Sequence, residues 1–274
     1  MPDARTTDRG PAPRRALAAM AHPDDLEMLC AGTLIRLREA GFEVHVATMT
    51  PGDKGSPDRS REAIAAIRRE EARKGAAALG AASCDCLELA DLEILFDAPS
   101  RRRVAGLLRR VDPEVVFTLS PDDYMADHVI TSQLVRDACF NASVPNAAAD
   151  GGHPPASRVP YLYYCEPVGG CDPYGAPATL SCLVDISGQI GAKADALACH
   201  ASQREWLRRQ HGVDDYLESM RAHGARRGAA IGAAYAEGFR QHRGHPHPAD
   251  DLLVRVLKAV PVPGATPSVG GAPA

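Results

Sequence analysis

The apolar run Ala16-Leu17-Ala18-Ala19-Met20 ends abruptly in Ala21-His22-Pro23-Asp24-Asp25-Leu26-Glu27. A run this short, bounded by charge, reads as a buried strand. Four polar or titratable side chains follow within six residues, where the strand should emerge into a loop. Adjacent carboxylates repel each other, and a folded chain keeps such a pair where a cation or a proton holds it. The junction therefore predicts a first strand and, directly after it, half of a metal-hydrolase site.

The following segments set the fold class. Residues 26–40 carry Leu29, Leu34 and Leu37 on one helical face, with Gly41 as the stop. Residues 44–50 alternate like a strand and run into the turn-rich loop 51–56. A long charged helix is expected over 59–79, ending at Gly80. A strand over 84–89, a helix over 101–111 and a β-branched strand over 115–119 follow. Strands alternating with helices at this spacing argue for βαβ units and a parallel sheet. Ligands in such sheets bind beyond the carboxyl ends of the strands. The His-Pro-Asp-Asp loop, the 50–56 loop, Asp91 and the 121–128 segment should therefore converge on one edge.

Further along, residues 141–160 are rich in Ala, Pro, Gly and Asn without periodicity, which predicts a lid or a disordered loop that helps to wall the pocket. Strands are expected at 161–165 and 180–186, and helices over 193–209 and 215–239. The Arg- and Pro-rich residues 1–15 read as a disordered lead-in and the Pro/Gly/Ala-rich 261–274 as a disordered tail. One domain over 16–260 lies between them.

Charge and cysteine usage exclude several classes. The formal net charge of −4 comes from interspersed acids and bases, so neither nucleic acid nor a membrane surface is an expected partner. No apolar run approaches the roughly 20 residues of a membrane span, and the N-terminal stretch lacks the apolar core of a secretory signal. The eight cysteines form no CxxC pair and suit free thiols in a reducing cytoplasm.

The second half of the site is sought in Pro121-Asp122-Asp123-Tyr124-Met125-Ala126-Asp127-His128. Catalytic zinc typically takes three protein ligands from His and Asp/Glu. His22 and Asp25, three residues apart on a tight turn, can reach one ion, and His128 supplies the third ligand. Asp24 is then free to act as general base. Asp127 is either a partner that orients a ligand imidazole or a helix N-cap. No Gly-x-Gly-x-x-Gly follows the first strand, and neither His-Glu-x-x-His nor Gly-x-Ser-x-Gly occurs. His242, His245 and His247 have metal-like spacing but read as a surface loop, and His45 as a core or edge position in a strand.

These residues resemble the PIG-L/LmbE-like family of zinc-dependent N-acetyl deacetylases, which includes the mycothiol and bacillithiol pathway enzymes, over about residues 16 to 257. Ala21-His22-Pro23-Asp24-Asp25-Leu26-Glu27 resembles the family's opening signature. Gly32-Thr33-Leu34, Thr50-Pro51-Gly52-Asp53-Lys54-Gly55, Arg68 with Glu71, and Lys193 followed by His200-Ala201-Ser202-Gln203 resemble further family positions. The resemblance implies a Rossmann-like α/β fold, a mostly parallel sheet flanked by helices, with C-terminal strands and helices covering the site. It implies Zn2+, or another divalent transition metal, on His22, Asp25 and His128, with Asp24 as base and Arg68 at the substrate. The implied reaction is hydrolysis of an N-acetyl or other N-acyl group on a small amino sugar or glycoconjugate. A cytoplasmic homo-oligomer is compatible with it.

One position departs from the pattern. Many members carry His-Pro-Asp-His, whose first His helps to stabilise the oxyanion, and here that place is Met125. Methionine donates no hydrogen bond, and losing one oxyanion donor costs on the order of 100- to 1000-fold in rate. Tyr124, His200 or the 242–247 histidines are the expected replacements. A larger amide substrate such as a thiol S-conjugate, or a zinc-binding homologue with weak or lost catalysis, are the alternatives.

Overall fold

The computed structural model describes residues 13–211 and 216–263. Of the disordered lead-in and tail expected from the sequence, residues 1–12 and 264–274 lie outside these residues, but the inner boundaries are corrected: Arg14 pairs with Glu114, and Arg15 and Pro261 belong to strands. One eight-stranded sheet of order β3-β2-β1-β4-β5-β7-β6-β8 forms the centre. The strands are β1 (Arg15–Met20), β2 (Glu43–Thr48), β3 (Ser83–Cys86), β4 (Val115–Thr118), β5 (Tyr161–Cys165), β6 (Cys182–Asp185), β7 (Ala236–His242) and β8 (Val260–Pro261). The first five run parallel, whereas β7 pairs antiparallel with both β5 and β6.

This order places the topological switch point between β1 and β4. From β1 the chain first builds outward through β2 to β3, then returns to the other side of β1 for β4 and β5. The crevice beyond the carboxyl ends of those two neighbours is where a doubly wound sheet binds its ligand. The loops after β1 and β4 carry the two histidine motifs. Ala16 to Met20 are fully buried, as are Val115 to Phe117, because helices cover both faces of the sheet and both strands read as continuous apolar runs.

Two expected helices are each split. The first becomes α1 (Asp25–Leu29) and α2 (Ala31–Glu39), with Cys30 between them at φ −141°. The start of α2 is buried, and its amides need a partner. Buried Glu237 supplies it, accepting from Gly32 N at 2.9 Å and Thr33 N at 2.7 Å. Lys193 Nζ, 2.6 Å away, neutralises that carboxylate. The 193–209 helix becomes α6 (Ile190–Ala198) and α7 (Ala201–His211), which part at Cys199-His200.

The 215–239 expectation is corrected more deeply. A helix, α8 (Tyr216–Ala229), covers its first part, and the chain turns at Gly232 (φ +71°) before entering strand β7. Ala/Gly-rich sequence carries little intrinsic strand signal. Here, pairing on both sides of β7 and burial of Ala236, Glu237 and Phe239 override it.

The charged helix is α3 (Arg61–Leu79), capped by Ser60, whose side chain accepts from Ala63 N. Helices α4 (Ala98–Val111), α5 (Ala126–Asn141) and α9 (Leu252–Leu257) complete the layers. No described helix is long and apolar enough to cross a membrane. The 141–160 segment does not line the candidate cleft. It is fastened to α4 by Arg109, which donates to the carbonyls of Ala142, Val144 and Ala147.

Candidate metal centre

His22 leaves β1, the Asp24-Asp25 pair opens α1, and His128 lies in the first turn of α5 after β4. Nitrogens of His22 and His128 and a carboxylate oxygen of Asp25 all lie within 4.8 Å of one another. His22 Nδ1 is 3.5 Å from Asp25 Oδ2, and His128 Nε2 is 3.5 Å from Asp25 Oδ1. Donors about 2.0 Å from a tetrahedral ion stand about 3.4 Å apart, so this spacing fits one ion.

The outer nitrogens are occupied. His22 Nε2 lies 3.2 Å from both Asp91 Oδ1 and Asp127 Oδ2. His128 Nδ1 lies 3.1 Å from Asp123 Oδ1, an ion-pair contact angled off hydrogen-bond geometry. A carboxylate behind each imidazole fixes its orientation and raises its basicity, as is usual for metal-ligating histidines. His22, Asp91 and Asp127 also form a second cluster of metal-capable groups. Asp127 Oδ2 already accepts from Leu92 N at 2.7 Å and Asp91 Oδ2 from Lys54 N at 3.1 Å, so that cluster reads as the orienting set. Asp127 thus stands behind His22, and Met125 is the residue that precedes α5 as its N-cap.

Electrostatics point to a cation. Burial disfavours a charged His22, yet hydrogen bonds with Asp127, Asp25 and Asp91 hold its pKa well above the ordinary histidine value. His128 is raised in the same way: burial opposes, while Asp25 and Asp123 prevail. Burial opposes ionisation of Asp25 too, but His128 and His22 pull its carboxyl far below the usual range. The pocket is acidic around one point, and the donor set suits a divalent metal.

Asp24 is set apart from its neighbour by backbone and partners. Its φ is +98°, a conformation that costs a residue with a Cβ about 1–3 kcal/mol and persists where surrounding structure imposes it. Tyr216 Oη donates to Asp24 Oδ2 at 2.6 Å, and Arg68 Nη2 stands 3.7 Å from Oδ1. Burial raises its pKa, Arg68 lowers it, Asp25 raises it, and His200 and Tyr216 lower it; the net shift is upward. Arg68 is itself buried and donates to the Pro23 carbonyl at 2.9 Å and, more loosely, to that of Gly52 at 3.4 Å. Gly52, at φ +68°, leaves room for that guanidinium, which a Cβ would meet at 2.6 Å.

The site opens into a cleft of about 650 Å³. Its walls include Tyr124 and Met125 from the β4–α5 loop, Trp206 and Leu207 from α7, and Tyr216 from α8. Helices of the C-terminal half therefore cover the site. Tyr124 is 67% exposed, sits edge-on to His128 at 5.6 Å, and has no hydrogen-bond partner for its hydroxyl among the described residues. Desolvation at the cleft wall, then Asp25, Asp123 and Asp24, push its pKa up to about 12.

The histidine alternatives to Tyr124 do not reach the cleft. His200 is buried, with Nε2 3.3 Å from Glu27 Oε1. His242 ends β7 beside His247, with ring centroids 4.6 Å apart, and His247 meets the Pro160 carbonyl at 2.9 Å. Reasoning from sequence missed Asp123 and Tyr216 and gave Asp91 a place but no role. Asp123 had a readable signal, a second acid beside a ligand motif.

Residues 17–139 match the family model described as PIG-L, GlcNAc-PI de-N-acetylase. Over those residues the chain is similar to that family. Among curated relatives, the chain is 27% identical over 244 residues to the 4-oxalmesaconate hydratase of Pseudomonas putida, covering 83% of this chain and 88% of that one. It is 25% identical over 247 residues to the diacetylchitobiose deacetylase of Thermococcus kodakarensis, covering 83% and 82%. The solved N,N'-diacetylchitobiose deacetylase of Pyrococcus horikoshii superposes with a TM-score of 0.72 at 26% identity, covering 88% of this chain and 89% of that chain.

Proposed function

We propose that this protein is a metal-dependent N-deacetylase acting on a small N-acetylated amino sugar or its conjugate. The observation that carries the reading is the pairing of a three-donor set, His22, Asp25 and His128, with a separately held carboxylate, Asp24, on the floor of one cleft. The named activities of two of the relatives agree with it. Zinc is the ion that the two imidazoles and one carboxylate suit best.

A divalent ion held there would supply Lewis-acid chemistry, polarising the amide carbonyl and acidifying water near neutral pH. Asp24 takes the proton of the attacking water, and delivers it to the departing amine nitrogen. Tyr216 holds Oδ2, and Oδ1 is the oxygen left for that transfer. Asp91, Asp127 and Asp123 keep the imidazoles turned toward the ion. Tyr124 Oη supplies the oxyanion donor that Met125 lacks. Arg68 acts on substrate through the loop, since its guanidinium is committed to Pro23, Gly52 and the Asp24 charge.

A second reading is hydration of an unsaturated carboxylate. The methionine at position 125 favours it, because that chemistry needs no amide oxyanion donor there, and one relative is named a hydratase.

Acetate release from a panel of N-acetyl sugars, with loss of unsaturation in a dicarboxylate measured in parallel, separates the two. Chelation should abolish acetate release and added zinc should restore it. Asp24→Asn should keep its metal and lose turnover. Acetate release that persists in the chelated protein would sink the metal-dependent reading.

A further inference from the structure

The metal-side cleft does not end at α7. Trp206, the only tryptophan in the chain, lines that cleft on one side and a second compartment of about 390 Å³ on the other. Gly55 is the other residue common to both. A Cβ at Gly55 would lie 2.4 Å from Arg68 Nη1, so the buried guanidinium packs directly against this shared border. The second compartment has an apolar floor, Ile64 and Ile67 of α3, under a polar rim that includes Ser56, Asp58 and Glu205. Its outer end is spanned by Arg209 and Asp58, 2.5 Å apart.

Trp206 is half-buried and belongs to none of the hydrophobic core clusters, although its neighbour Leu207 packs against one. Its helix is held in place independently, since Glu71 accepts from Ser202 N at 2.8 Å and Ser202 Oγ at 2.6 Å. An indole committed to neither core nor helix anchoring, with cavity on both sides, suits a ligand ring. An aromatic face takes the C–H side of a pyranose while polar groups around it take the hydroxyls.

We propose that Trp206 is the platform for a second ring of the substrate. On this proposal, which rests on the deacetylase reading, the N-acetylated ring lies over the metal centre. The next unit, a sugar or other polyol ring, stacks at Trp206 and reaches into the compartment beyond it. Specificity for the second unit then resides in α7 and the 55–59 loop.

Because the tryptophan is unique, its fluorescence reports on this place alone. Full-length Asp24→Asn protein loaded with zinc is titrated with N-acetylglucosamine and with N,N'-diacetylchitobiose, and turnover of both is measured in the wild type. The disaccharide should change Trp206 emission saturably, at concentrations about tenfold below those at which the monosaccharide acts. Trp206→Ala should lower kcat/KM for the disaccharide about tenfold more than for the monosaccharide, and Trp206→Phe should recover most of that difference with its smaller ring. Disaccharide binding without an emission change, or equal losses on both sugars in Trp206→Ala, overturns the platform. An emission change without acetate release from either sugar keeps the platform and fails the deacetylase reading. No emission change and no turnover overturns both.

Discussion

Tyr216 Oη donates to Asp24 Oδ2 at 2.6 Å across 192 residues of sequence. The hydroxyl fixes one carboxylate oxygen and favours the ionised form against the burial that raises the Asp24 pKa. Tyr216→Phe removes this bond without opening a large cavity. We expect kcat to fall about 10- to 150-fold, since a hydrogen bond to a charged group contributes about 1.5–3 kcal/mol, while bound zinc stays stoichiometric. With the hydroxyl gone, the Asp24 pKa rises further, so the acid limb of the kcat/KM profile should move to higher pH. An unchanged profile with unchanged kcat would remove Tyr216 from the proton-transfer apparatus.

The missing oxyanion histidine gives a reciprocal pair of tests. Tyr124 lies beside Met125 in the cleft wall, exposed and with its ring edge-on to His128. If it is the donor, Tyr124→Phe lowers kcat on the order of 100-fold, the cost of one oxyanion contact, with little change in metal content. Adding Met125→His to that variant should then recover part of the rate. Single-turnover acetate release measures both.

Carboxylates behind the imidazoles should matter to the metal more than to the fold. Asp127 lies 3.2 Å from His22 Nε2, and Asp123 lies 3.1 Å from His128 Nδ1. Replacing either by Asn keeps the shape but weakens the ligand's orientation and basicity. Zinc affinity should fall about 10- to 100-fold in each variant, measured by competition with a chromophoric chelator. A loss of thermal stability in the metal-free proteins as large as in the zinc-loaded ones would instead mark these acids as purely structural.

What could be read from sequence follows from where the information lies. His22, Asp25 and His128 were legible because each stands just after a strand, and the ends of parallel strands converge. Asp127 was legible as one of two options, and only its 3.2 Å approach to His22 favours the orienting one. Tyr216 was not legible. It is one tyrosine opening one helix, and its reach to Asp24 depends on the packing of α8, which no local pattern encodes. The same limit explains β7: Ala236-Glu237-Gly238-Phe239 has weak strand propensity, and its state is set by β5 and β6 on either side. Glu237, which caps α2 from that strand, is equally non-local.

The histidines at the end of β7 carry a stability prediction independent of the metal. His242 is half-buried, with Nδ1 3.3 Å from Tyr164 Oη. Burial first, then His247, Arg136 and Arg240, bring its pKa down to about 4. Its ring is therefore neutral in the folded chain at a pH where the unfolded chain, with an ordinary pKa of about 6.5, binds a proton. The sign follows: the contribution is fully present above about pH 6.5 and is lost as pH falls toward the folded value. Solvent screening at a half-exposed ring keeps the effect modest. In His242→Gln, the fall in Tm between about pH 7.5 and about pH 5 should be smaller than in the wild type by on the order of 2 °C. Zinc affinity should not change, because His242 lies outside the cleft lining. An equal or larger acid-induced fall in Tm in this variant would mean that the ring is protonated in the folded state, and that the surrounding cations do not govern it.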